Sequence, residues 1–133
     1  MYPFESKSDL IPCSDGAGVV VKVGSKVTQF RKGDSVASLF LAAHLFGDLN
    51  ADVQKTGLGG FLDGCLQQYR VFSEPSLVHA PQNLTSLETS TLPCAALTAW
   101  NGLYGIKPLK PGQTVLVQGT GGVSIFALQV STT

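Results

Sequence analysis

Gly119, Gly121 and Gly122, with Ser124 two residues further on, follow the apolar run Val115-Leu116-Val117 in the last fifth of the chain. Glycine has no Cβ, so this order permits a tight turn and a close approach by a bulky anion. A helix starting near Gly122 would aim unpaired N–H groups, with roughly half a positive charge, at that anion. The chemistry this suggests is pyrophosphate binding by Gly119, Thr120, Gly121, Gly122, Val123 and Ser124, as at the start of a dinucleotide-binding βαβ unit. The pattern reads G-x-G-x-x-S, and serine at the third small position still lets helix and strand pack closely. A plain strand-to-helix turn uses glycine too, so the flanking elements carry the argument: a buried-type strand before and a helix after, in the required order. The acidic residue that holds the adenosine ribose is expected about 20 residues on. Fourteen residues follow Gly119, so NAD and NADP are not distinguished.

No other residues stand out as an acid, base or nucleophile, and the catalytic residues stay unassigned. Cys13, Cys65 and Cys94 form no C-x-x-C pair and cannot all be bonded to one another. Free, mostly buried thiols in a reducing compartment, the cytosol, are the expected state. His44 and His79 are remote in sequence from each other and from the cysteines, which favours solvated or hydrogen-bonded structural roles. Asp15, beside Gly16, has two readings: it positions a residue of a cleft, or it closes a turn.

The elements that must position the glycine turn divide into two groups. Up to Pro81 the pattern is one of short strands between glycine and charged turns. Gly18–Val23 places Val19, Val21 and Val23 on one face, and Ser35–Leu39, Cys65–Phe72 and Leu77–Ala80 read as further strands. The segment Ala42–Leu49 reads as a helical turn or two, and Thr56–Gly60 as a loop whose glycines serve turns or bulges rather than a phosphate. Beyond Pro81 helices are expected. Thr85-Ser-Leu-Glu88 has the form of a capping box, Pro93 suits the first turn of a second helix, and Leu97, Trp100 and Tyr104 recur at helical spacing before Gly105. A boundary therefore falls at residues 81–85, giving units of 1–84 and 85–133.

Size and charge exclude several classes. The 133 residues suffice for one domain, or a small domain with part of another. Nine basic and nine acidic residues give no net charge, and no basic tract suggests nucleic acid. A hydrophobic content of 44% and a mean hydropathy of +0.21 indicate a folded chain. The longest apolar stretch, Leu39–Phe46, is far shorter than the ~18 residues of a membrane span, and residues 1–9 lack the apolar core of a secretory signal.

Six blocks, in this order, resemble the medium-chain dehydrogenase/reductase superfamily: Pro12-Cys-Ser-Asp-Gly-Ala-Gly18; Val23-Gly24; Phe30-Arg-Lys-Gly-Asp-Ser-Val36; Gly59-Gly-Phe61 with Gln68-Tyr69; Leu92-Pro-Cys-Ala-Ala-Leu-Thr-Ala-Trp100; and Lys110-Pro-Gly-Gln-Thr-Val-Leu-Val-Gln-Gly-Thr-Gly-Gly-Val123. The likeness is to its zinc-independent, alcohol dehydrogenase-like and quinone reductase-like branch. It implies a mixed α/β fold: a partial GroES-like β-barrel over 1–84, then the first strand, turn and helix of a Rossmann domain over 85–133. It further implies NAD(P) as cofactor and hydride transfer to or from a carbonyl, alcohol or activated alkene. Thr98 resembles the threonine near the nicotinamide in such enzymes; equally, it reads as a helical threonine bonded to its own backbone.

No zinc is expected. The histidine-ligand position of the zinc branch holds Ser14, a poor substitute for imidazole, and Cys94 alone at another ligand position does not make a three-ligand site. Family members carry further barrel strands before this stretch and further Rossmann strands after it. The expectation is therefore a chain truncated at both ends and inactive alone, its apolar helix residues Val123, Ile125, Phe126, Leu128 and Val130 lacking a sheet to cover them. The rival expectations are a non-catalytic barrel-containing module, dimerising through the exposed Rossmann edge, and a truncated product without a function of its own.

Overall fold

The computed structural model describes residues 7–132; residues 1–6, most of the stretch weighed for a targeting signal, lie outside the described part. Three short strands, β1 (Ala17–Val19), β2 (Ser35–Ser38) and β3 (Leu77–His79), form an antiparallel sheet in the order β1-β2-β3. Gly18 faces Val36 and Val36 faces His79, so β2 is central. Its Val36, Ala37 and Ser38 are accordingly buried.

The β1–β2 connection closes on itself. Gly33, at φ +99°, donates to the carbonyl of Val20, and the Val20 N–H returns to Asp34. Only glycine adopts that φ without strain. Phe30 is buried here, its ring 4.8 Å from that of His79. Before β3, a 3₁₀ turn (Glu74–Ser76) sends the Glu74 carboxylate to the N–H groups of Thr28 and Gln29, and buried Ser76 donates to Ala42 O at 2.8 Å. These bonds fasten the long 39–64 loop to the sheet.

Within that loop, helix α1 (Ala51–Gln54) starts where Asn50 accepts the N–H groups of Asp52 and Val53. The expected helical turns at Ala42–Leu49 reduce to one hydrogen-bonded turn, Leu41–His44. Gly47, at φ +80°, breaks the helical path, and the cap that starts a helix is Asn50.

The second half is helical, as expected. Helix α2 (Ser86–Thr89) begins with a complete capping box between Thr85 and Glu88. Pro93 lies in the first turn of a π-helical turn (Leu92–Ala96), which runs directly into α3 (Leu97–Tyr104); Trp100 and Tyr104 stack at 4.8 Å along one face, and Gly105 ends the helix. Helix α4 (Gly122–Ser131) packs on α3 and on the π-helical turn. The core is small: Phe30, Val36, Ala37 and Leu58 on the sheet side, Ala99 and Ala127 among the helices.

Three strand expectations need correction. Gly18–Val23 pairs only through Val19, with one further exchange at Val20; Val21–Val23 make no backbone hydrogen bonds. Residues 65–72 enter no ladder: the chain bends at Cys65 and again at Gln67–Gln68, and Arg70 turns back to the carbonyls of Asp63 and Gly64. Residues 114–118 have the composition of a buried parallel strand but pair with nothing among the described residues. A strand exists through its neighbours, and these segments have none. The described part is thus a three-stranded sheet with a helical group, not a closed barrel.

Candidate functional site

The glycine turn before α4 has the shape its sequence suggests, although the run before it is unpaired. Gly119 adopts φ +81°, a left-handed conformation that favours glycine. Gly121 is the N-cap of α4, and no side chain caps the helix, so its first N–H groups are left for an external acceptor. A Cβ on Gly119 or Gly121 would meet nothing within 4 Å, so the backbone is open from outside. On Gly122 a Cβ would come 3.2 Å from the Cβ of Ala95; this glycine seats the helix on the π-helical turn. Ser124 holds the turn closed, its Oγ donating to Gln118 O at 2.6 Å. Thr120 and Val123 are exposed beside it.

The turn is anchored from the other half of the molecule. The Asp15 carboxylate accepts the backbone N–H of Cys94 at 3.0 Å and the hydroxyl of Ser14. Asp15 thus fixes the turn that carries Ala95, against which Gly122 sits. Thr98 follows Ala95 by three residues in the first turn of α3, with its side chain exposed. Asp15, Ala95, Thr98 and the glycine turn belong to one connected region.

Behind Asp15 lies a small polar cluster. Gly16 N donates to Ser38 Oγ at 3.1 Å, and Cys65 Sγ approaches Ser14 O at 3.5 Å and Ser38 Oγ at 3.8 Å. Burial raises the Cys65 thiol above its ordinary pKa, keeping it protonated and a weak nucleophile. A Cβ on Gly16 would sit 2.7 Å from that sulfur, so thiol and backbone are closely fitted. The three cysteines are free, as expected, but Cys13 is exposed and the other two are only partly buried. Both histidines have the hydrogen-bonded roles anticipated: His44 Nε2 lies 3.0 Å from Gly47 O, and His79 Nε2 lies 3.3 Å from Gln29 O.

Among the described residues no three of His, Cys, Asp and Glu stand together as a metal site, and no helix is long and apolar enough to cross a membrane. One feature escaped the sequence reading. A cleft of about 460 Å³ opens between residues 18–24 and 67–72, lined by Val19, Val21, Val23, Val71 and Phe72. Periodicity marked both walls as strands and gave no sign that they would face each other unpaired.

Known proteins share this arrangement. Residues 1–82 match the alcohol dehydrogenase GroES-like domain. A zinc-type alcohol dehydrogenase-like protein of Schizosaccharomyces pombe is 52% identical over 97% of the chain, which spans 38% of that relative's length. A quinone oxidoreductase of Triphysaria versicolor is 33% identical over 94% of the chain and 34% of its own length. A solved Sinorhizobium meliloti structure, described as an alcohol dehydrogenase, superposes with a TM-score of 0.88 at 42% identity, covering 98% of the chain and 39% of that protein. The chain belongs to the alcohol dehydrogenase GroES-like family, within the medium-chain dehydrogenases and reductases.

Proposed function

We propose that the Gly119–Ser124 turn is the pyrophosphate-binding loop of a nicotinamide dinucleotide site, in an NAD(P)-dependent oxidoreductase framework of the zinc-independent type. The observation that carries this reading is the uncapped N-terminus of α4 behind two glycines whose Cβ positions are open. Gly119 turns the chain, the amides of Gly122, Val123 and Ser124 meet the phosphates, and the helix charge favours them. Thr98 faces the nicotinamide end of the same region. A bound nicotinamide supplies or accepts hydride, to or from a carbonyl, alcohol or activated alkene; the chain's own part is to bind and orient.

Zinc-independence is supported by Ser14 at the histidine-ligand position and by the lack of a metal-ligating cluster among the described residues. The Asp15 carboxylate, which would flank such a site, is engaged with Cys94 N–H and Ser14. The division into a GroES-like unit over 1–84 and a cofactor unit over 85–133 is part of the same proposal; the family match ends at residue 82. Cytosolic location goes with the free thiols.

The chain alone is expected to bind cofactor weakly and to turn over little or nothing, because the run leading into the glycine turn has no sheet beside it. Titration with NADH and NADPH, followed through half-exposed Trp100, tests binding; oxidation of either by a quinone or aldehyde tests turnover. Saturable quenching without turnover is the expected pair of results. No quenching at millimolar cofactor defeats the binding proposal, and steady turnover defeats the proposal of inactivity.

A further inference from the structure

The cleft between residues 18–24 and 67–72 is flanked by two runs of unpaired backbone. Val21–Val23 on one lip and Gln68–Phe72 on the other make no backbone hydrogen bonds among the described residues. The side chains between them are apolar and open to solvent: Val21 is 55% exposed, Tyr69 73% and Val71 95%. A small molecule would call for a few convergent polar groups in an enclosed pocket. A docked helix satisfies its own backbone and would leave the N–H and C=O groups of both lips without partners. An extended strand supplies what the cleft lacks: hydrogen bonds along both edges and apolar side chains between them.

The chain carries such a strand. Residues 114–118 are unpaired on both edges, have Val115, Leu116 and Val117 at their centre, and expose 82% of Leu116. Five residues extend about 17 Å at ~3.4 Å each, the length of the Gln68–Phe72 lip. The segment bears no charge to oppose Lys22 or Arg70, and the chain has no net charge to keep copies apart.

We propose that residues 114–118 of one copy insert as a strand between Val21–Val23 and Gln68–Phe72 of a second copy, so that the chain self-associates by strand exchange. Donor and acceptor are different surfaces. The contact is therefore heterologous, closing as a dimer when two copies exchange reciprocally.

Sedimentation velocity of the wild type and of two variants tests this, together and apart. Leu116→Lys spoils the donor, Val71→Lys spoils the acceptor, and both positions lie outside the core, so far-UV circular dichroism should be unchanged. The wild type is expected to associate with rising concentration, each variant to remain monomeric, and an equimolar mixture to recover a one-to-one pair. A capped peptide of sequence Gln-Thr-Val-Leu-Val-Gln is expected to dissociate the wild-type assembly. A monomeric wild type, association retained by Leu116→Lys, a mixture that fails to pair, or an assembly indifferent to the peptide overturns the proposal.

Discussion

The carboxylate of Asp15 accepts the backbone N–H of Cys94 at 3.0 Å, across 79 residues of sequence. The neighbouring Ala95 meets the start of α4 at Gly122. One side chain from the sheet half therefore sets the platform on which the glycine turn stands.

Removing that carboxylate should loosen both stability and the site. A hydrogen bond to a charged group contributes about 1.5–3 kcal/mol, so Asp15→Ala should lower the unfolding free energy by that order in a urea titration. Asp15→Asn keeps an acceptor oxygen and should recover part of the loss. Equal stability of Asp15→Ala and wild type would show that the bond does not hold the two halves together.

Gly64 faces a backbone without room for a side chain. Its Cβ would lie 2.1 Å from the carbonyl oxygen of Pro12, while Gly64 N donates to Ile11 O at 2.6 Å. Gly64→Ala should cost at least the ~1–3 kcal/mol of core overpacking, because backbone rather than a flexible side chain must move. Gly18→Ala is the control: its Cβ meets nothing within 4 Å, and it should leave the unfolding midpoint close to that of wild type.

Acid should weaken the fold through its hydrogen-bonded carboxylates. The N–H groups of Gln29 and Thr28 hold Glu74 below its ordinary pKa of 4.5, and Lys7 with the N–H of Ile11 holds Asp63 below 3.8. A depressed folded-state pKa contributes stability above the ordinary value, and that stability is lost as pH falls through the lower one. The thermal midpoint should therefore be insensitive to these groups from pH 7 to 5 and decline below about pH 4.5. Glu74→Gln should be less stable than wild type at pH 7 and approach it near pH 3; an equal gap at both pH values would contradict the role given to Glu74.

What the sequence revealed follows the range of the interactions involved. The capping box of Thr85 and Glu88 spans three residues, and it formed as read. The strand Ser35–Leu39 was legible because it is the central strand, paired on both sides and buried. Residues 65–72 and 114–118 have equally strand-like composition, yet pairing depends on partners that a local pattern does not contain. Gly59, at φ +69°, was rightly read as a loop glycine, but its close approach to the backbone of Cys13 joins distant segments and left no mark in the sequence. The Asp15–Cys94 bond was hidden for the same reason; the turn reading of Asp15 captured only its neighbour Ser14. At the glycine turn, order and residue type anticipated the left-handed Gly119 and the start of α4 at Gly122.

The central claim is that the amides ahead of α4 hold a dinucleotide's pyrophosphate. Calorimetric titration of NADH and NADPH into the wild type and Gly121→Val tests it most directly. Gly121 has φ −73° and ψ 165°, which valine also adopts, and a Cβ there meets no protein atom within 4 Å, so the fold should be retained while the approach to the amides is blocked. The account predicts saturable binding to the wild type, weakened at least about tenfold, or about 1.4 kcal/mol, in the variant. No heat from the wild type at millimolar cofactor, or equal affinity in both proteins, would contradict it.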